Sequence, residues 1–342
     1  MSFTLNRRRA IGAAAGLAVV AGLALPAQAQ DETNYILATA STGGTYYPVG
    51  VALATLTKVK LQPKQKIGMS AINSAGSGEN VRLLRENEAQ FAILQGLFGF
   101  YAVNGIGPVE EAGPQTELRS VTMLWQNVEH FVVSKEAAKT GTIDDLAGLK
   151  GQSMAMGRRN SGTIGSNAAI LSNLGYDMEN DFELVYAGYG PSADAVQNGQ
   201  AAGMSTPAGP PVGAVTKIFA NMGDQVTLLS FTDEQAEKAD GDFDLWTPYT
   251  IPAGTYPGQD AAVNTIAQPN FLGVRSDVDE EHVYLFTKTV YENLPFLQAI
   301  HPATKAMAIE NAIAGLPAPL HPGAVRYYKE VGVDVPERLI GK

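Results

Sequence analysis

Residues 154–174 hold the side chains best suited to chemistry in this chain. The apolar run Met154-Ala155-Met156 enters a polar loop, Gly157-Arg158-Arg159-Asn160-Ser161-Gly162-Thr163. Ile164, Ala168 and Leu171 then recur at helical spacing. Ser161 and Thr163 stand where a helix N-cap belongs. The free N–H groups of a helix start, with the positive end of its dipole, form an anion site. Arginine adds a fork that grips a carboxylate with two parallel hydrogen bonds. Arg158 sits one residue past the apolar strand, at its carboxyl end. If the backbone stays extended, Arg158 faces the ligand and Arg159 faces solvent. A turn would reverse that assignment. For any single loop of this kind the ordinary alternative is a βα turn with solvated arginines.

Two further stretches repeat the pattern. Residues 35–40 read as a buried strand, followed by Ser41-Thr42-Gly43-Gly44-Thr45-Tyr46-Tyr47-Pro48 and a helix through Val49, Leu53 and Leu56. Pro48 suits the first helical position, and the glycines permit close backbone approach. Residues 66–72 read as a second strand, followed by Asn73-Ser74-Ala75-Gly76-Ser77-Gly78-Glu79-Asn80 and a helix through Val81 and Leu84. Three strand–loop–helix units therefore aim helix N-termini at one place, and open α/β sheets bind ligands at the carboxyl ends of their strands.

At 342 residues the chain exceeds the usual single core, so two domains are expected. Residues 1–29 read as a secretory signal peptide. Arg7-Arg8-Arg9 precedes an apolar run to Leu25, and Ala27-Gln28-Ala29 forms the cleavage pattern. The arginines allow either Sec or twin-arginine export. Without Arg7, Arg8 and Arg9, and with no acid lost, the formal charge moves from −10 to −13. That balance speaks against a nucleic-acid partner. The chain contains no cysteine, which excludes disulfides and thiolate chemistry.

Strands and helices alternate to about residue 229, predicting a mainly parallel sheet in each lobe. Residues 91–94 form a strand ending at Gln95. Residues 121–125 and 129–134 read as extended, with a break at Gln126-Asn127 where the chain crosses between lobes. Residues 230–259 look irregular, and a second crossing is expected at 256–267. Beyond Asp277 the pattern is helical, with one helix over 302–314. The four histidines, His130, His282, His301 and His321, lack metal-ligand spacing, so no metal or cofactor is expected. Gly157 and Gly162 have P-loop spacing, but Thr163-Ile164 stands where Lys-Ser/Thr is required. No G-x-S-x-G elbow is present.

Taken in order, these motifs resemble the TAXI family of TRAP transporter substrate-binding proteins over essentially the whole chain after the leader. Ala40–Pro48 is similar to the family's opening Gly-Thr-Gly-Gly-x-Tyr-Tyr-Pro loop, with Ser41 as a departure. Ser77-Gly78-Glu79-Asn80, Gln95, and Gly157 with Ser161-Gly162-Thr163 match later motifs. Ile251-Pro252-Ala253-Gly254-Thr255-Tyr256 is similar to another. Arg159 and Asn160 replace a usual Pro and Gly.

The resemblance implies a two-lobed α/β periplasmic-binding-protein fold of the second type, with two crossing segments as hinge. Lobe I would comprise residues 30–126 and 257–342, and lobe II residues 127–256. It implies a periplasmic receptor, not an enzyme, that captures a small carboxylate such as glutamate or 2-oxoglutarate. The partner would be a multi-span, sodium-driven TRAP permease, and the receptor itself a monomer. An ABC-importer receptor and an exported enzyme on the same scaffold are the alternatives. The ligand set is expected to be Gly44, Thr45, Tyr46, Ser77, Asn80, Gln95, Arg158, Asn160, Ser161, Gly162 and Thr163, with one tyrosine of the Tyr46-Tyr47 pair in the site.

Overall fold

The computed structural model describes residues 32–341, so the leader expected over 1–29 lies outside the described residues. The chain opens with β1 (Thr33–Ala38), α1 (Tyr46–Lys60), the short α2 (Gln62–Gln65) and β2 (Ile67–Ile72). It continues through α3 (Ser77–Arg85), β3 (Phe91–Gln95), α4 (Gly96–Asn104) and the long β4 (Leu118–Val128). A second group follows: β5 (Phe131–Ser134), β6 (Ser153–Ala155), α5 (Gly162–Leu174), α6 (Met178–Asp181) and β7 (Glu183–Leu184). Then come α7 (Tyr189–Gln197), β8 (Gly203–Ser205), α8 (Gly213–Met222), β9 (Val226–Leu228) and α9 (Asp233–Asp240). The chain closes with β10 (Thr247–Ile251), β11 (Val263–Arg275), α10 (Glu280–Glu292), α11 (Leu294–Ile300) and α12 (Pro322–Glu330).

The strands form two sheets. In the first the order is β10-β11-β3-β1-β2, and β4 pairs with β11. In the second it is β7-β6-β8-β5-β9. Both sheets are mixed rather than mainly parallel. β1 runs parallel to β2 and β3, but β11 is antiparallel to β3, β4 and β10. β5 is likewise antiparallel to β8 and β9. The antiparallel strands are those adjoining the passages between sheets, where no crossover helix sets the direction.

The expected break at Gln126-Asn127 is absent. β4 runs through both residues to Val128, and only Glu129 and His130 link it to β5 in the other sheet. Residues 230–259 are also more regular than expected. Thr232 and Gln235 make a reciprocal capping box that starts α9, a local signal carried by the T-x-x-Q spacing. β10 pairs with β11 in the first sheet, yet Ile251, Tyr256 and Ala267 pack into the core of the second. The helix expected over 302–314 is instead two 3₁₀ turns, Pro302–Ala306 and Ile309–Asn311. Tertiary demands override the local pattern there, since Thr304 is buried and Met307 and Ala312 belong to the first core.

Candidate functional site

Four helix starts face one another across the junction of the sheets. On the second side Ser161 caps α5, its hydroxyl accepting from the Ile164 amide at 3.1 Å, and Gly175 ends the helix in a left-handed conformation. On the first side the helix starts lack such caps, because their polar side chains are used elsewhere. Thr45 donates across the junction to the Gly209 carbonyl at 2.7 Å. Ser77 accepts from the Gln95 amide at 3.0 Å. α7 begins at Tyr189, whose amide donates to the Ser41 hydroxyl at 3.1 Å.

These loops enclose a cavity of about 30 Å³, the scale of one or two waters. Of the expected site residues, Gly44, Thr45, Tyr46, Ser77, Gln95, Arg158, Ser161, Gly162 and Thr163 all line it. Asn80 and Asn160 do not. Asn80 is wholly buried as a strut: its amide donates to the carbonyls of Thr39 and Ile93, and its oxygen meets the Ser74 hydroxyl at 2.6 Å. The Ser-x-x-Asn spacing thus ties α3 to two strands instead of reaching a ligand. Asn160 is exposed in a left-handed turn (φ 59°), and its carbonyl accepts the Glu79 amide from across the junction at 2.8 Å. Arg158 is half-buried and donates to the Ser74 carbonyl at 3.1 Å, so it also bridges the two sides. Arg159 is exposed and lies over the Tyr186 ring, 3.7 Å from its centre.

Arg158 is the one charged side chain lining the cavity among the described residues. Around it the lining is hydroxyl, amide and backbone. Thr163 and Tyr189 share a hydrogen bond at 2.8 Å, and the Tyr189 hydroxyl donates on to the Pro207 carbonyl at 2.7 Å. Burial raises the pKa of both Tyr46 and Tyr189, so each stays a neutral phenol. The glycines permit close approach. A Cβ on Gly162 would collide with Gln95 Oε1 and Ser77 Oγ, and one on Gly78 with the Asn160 carbonyl.

Sequence reasoning missed Asn127, Gly188 and Tyr189, all of which line the cavity. Tyr189 could have been found, since Ala187-Gly188-Tyr189 follows a strand and opens a helix in the same manner as the other loops. Asn127 carried no such signal, because Gln126-Asn127 read as a break between two extended runs rather than as part of a strand. Both of its side-chain polar atoms are buried without a partner, and each such group costs about 1–3 kcal/mol. Beyond the cavity, Glu129 in the link between β4 and β5 is buried and held by the Trp246 indole N–H at 3.2 Å, and burial pushes its carboxyl up to about 8. His130 beside it is pushed down to about 4 by burial. Its Nε2 accepts from the Tyr256 hydroxyl at 2.7 Å, while Nδ1 donates to the Val128 carbonyl at 2.8 Å. All four histidines have structural contacts: His282 meets Tyr35, and His301 and His321 cap the turns they begin.

The profile of the NMT1-like family matches residues 37–332, and the chain belongs to that family. Among solved structures it is similar to MatC from Rhodopseudomonas palustris, determined with bound malate. The identity is 15%, coverage is 87% of this chain and 98% of that one, and the TM-score is 0.54. A Bordetella bronchiseptica RB50 protein is similar at 12% identity, 89% and 85% coverage and a TM-score of 0.51. The likeness shows the two-lobed periplasmic-binding-protein fold.

Proposed function

We propose that this chain is a solute-binding receptor whose lobes close on a small carboxylate. The observation that carries the reading is the enclosed cavity itself. Loops from both sheets wall it, four helix N-termini surround it, and Arg158 is among the residues that line it. Gly44, Thr45, Tyr46, Ser77, Gln95, Arg158, Ser161, Gly162 and Thr163 form the binding set, with Arg158 as charge partner. Residues 30–126 and 257–342 make lobe I and residues 127–256 make lobe II, a division supported by the packing of Ile251 and Tyr256 in the second core. A cavity on the scale of one or two waters requires the lobes to part before a ligand enters. Binding then selects the closed state, because both lobes contact the ligand only there.

The TAXI-like loops favour a sodium-driven TRAP permease as partner, and the leader favours export to the periplasm. Glutamate and 2-oxoglutarate are the carboxylates the loop motifs suggest. A thermal-shift screen against small carboxylates tests the reading. A ligand at 100 times its Kd stabilises by about 2.7 kcal/mol, so at least one carboxylate should raise the melting temperature when chloride at equal ionic strength does not. A library of mono- and dicarboxylates that leaves melting unchanged would contradict it.

A further inference from the structure

The floor beneath the cavity is built from four carboxamides. Asn127 on β4 stands opposite Gln268 on β11, and Gln95 on β3 stands opposite Asn270 on β11. Directly paired residues share a face, as do residues two apart on one strand, so all four project to the same side. That side meets the cleft: Tyr46 donates to Asn270 Oδ1, and Gln95 reaches the start of α5 beside Gly162. All four are 3% exposed or less. Yet Gln95 Oε1, Asn270 Nδ2, Gln268 Nε2 and both polar atoms of Asn127 have no partner. Buried polar groups are normally satisfied. Two of the four, Gln95 and Asn127, line the cavity itself.

We infer that Gln95 and Asn127 form a hydroxyl-recognising subsite, and that the ligand is a small 2-hydroxy monocarboxylate. The inference rests on the receptor reading above, with Arg158 taking the carboxylate. Two carboxamides offer both a donor and an acceptor, and either can turn over to exchange them. A hydroxyl donates to one amide oxygen and accepts from the Asn127 amide N–H, so it pairs two of the three open atoms. A keto oxygen can only accept and leaves both amide oxygens unpaired. A methylene leaves both amides unpaired. An ammonium group would sit beside Arg158 in a lining with no carboxylate to balance it. One guanidinium matches one carboxylate.

Calorimetric titration with the three-carbon set decides it: both enantiomers of lactate, then pyruvate, L-alanine and propionate, with the four-carbon counterparts alongside. One lactate or 2-hydroxybutyrate enantiomer should bind at least about 100-fold tighter than its deoxy acid, because a site built for a hydroxyl rejects the analogue lacking it. Asn127→Ala should compress that ratio to about threefold or less. Arg158→Ala should weaken both acids together and keep the ratio. Equal binding of hydroxy and deoxy acids would overturn the subsite and leave the receptor reading standing, the floor amides then holding only water. Tightest binding of L-alanine or pyruvate would also overturn it. No binding by any acid of the series would reject this inference, and a carboxylate outside it that shifts melting would still uphold the receptor.

Discussion

The rim and the floor of the cavity are built on opposite principles. At the rim the polar groups satisfy one another across the junction. Thr45 reaches Gly209, Tyr189 reaches Ser41, Arg158 reaches Ser74 and the Glu79 amide reaches Asn160. At the floor, buried amides of Asn127, Gln268, Gln95 and Asn270 keep open valences. A rim of this kind fastens the two sides to each other once they have closed. A floor of this kind distinguishes what lies between them, because unmatched amides penalise the wrong ligand. The comparison assigns closure to the loops and selectivity to the strands.

The largest effect should come from the one rim residue that is charged and lines the cavity. Arg158→Ala is expected to cost about 2–5 kcal/mol of carboxylate binding in calorimetric titration, since the anion would keep its desolvation without its partner. Arg158→Lys should recover part of this, having lost the bidentate fork. Next comes Asn80, which supports the rim without touching the cavity. Asn80→Ala should cost about 2–4 kcal/mol of stability in urea unfolding, because the Thr39 and Ile93 carbonyls lose a buried donor. If it instead weakens binding with stability unchanged, Asn80 belongs to the site.

The link between β4 and β5 offers a pH-dependent test of intermediate size. Folded Glu129 keeps its proton up to about pH 8, whereas an ordinary glutamate releases it near 4.5, so its contribution to stability falls as pH rises between those values. His130 acts oppositely: its folded pKa of about 4 against an ordinary 6.5 makes stability rise across that lower window. The two partly offset each other below pH 6.5, and between 6.5 and 8 Glu129 acts alone of the pair. Wild type should lose about 2 kcal/mol across that upper window, and Glu129→Gln should flatten it. An unchanged slope in the variant would place the titration elsewhere. The smallest expected effect is at Arg159, exposed over Tyr186, where Arg159→Ala should cost less than about 1 kcal/mol of binding.

What the sequence disclosed follows the same division. The rim was legible because loops that place helix starts at strand ends carry local signatures, Gly43-Gly44 and Ser161 as a cap, although α1 begins at Tyr46, two residues before the Pro48 expected at its first position. The floor was not. Asn127, Gln268 and Asn270 are scattered polar residues in apolar runs, and only pairing between distant strands puts them on one face. Asn80 was misplaced for a related reason, since a polar residue at a motif position can serve the scaffold as readily as the ligand. The sheets were legible as two α/β layers, but the antiparallel entry of β11 depends on long-range pairing that periodicity does not encode.

The central claim is that the lobes close together around a ligand, and two backbone amides report it. The Glu79 amide of lobe I donates to Asn160 of lobe II at 2.8 Å, and the Ala214 amide of lobe II donates to Gly43 of lobe I at 3.1 Å. Hydrogen exchange should be followed at both, with and without a saturating carboxylate from the melting screen, using the Val185 amide within the second sheet as reference. Closure predicts that both cross-junction amides slow together on ligand addition by at least about tenfold while Val185 is unchanged. Slowing at one amide alone, or at neither while the ligand is bound, would contradict it.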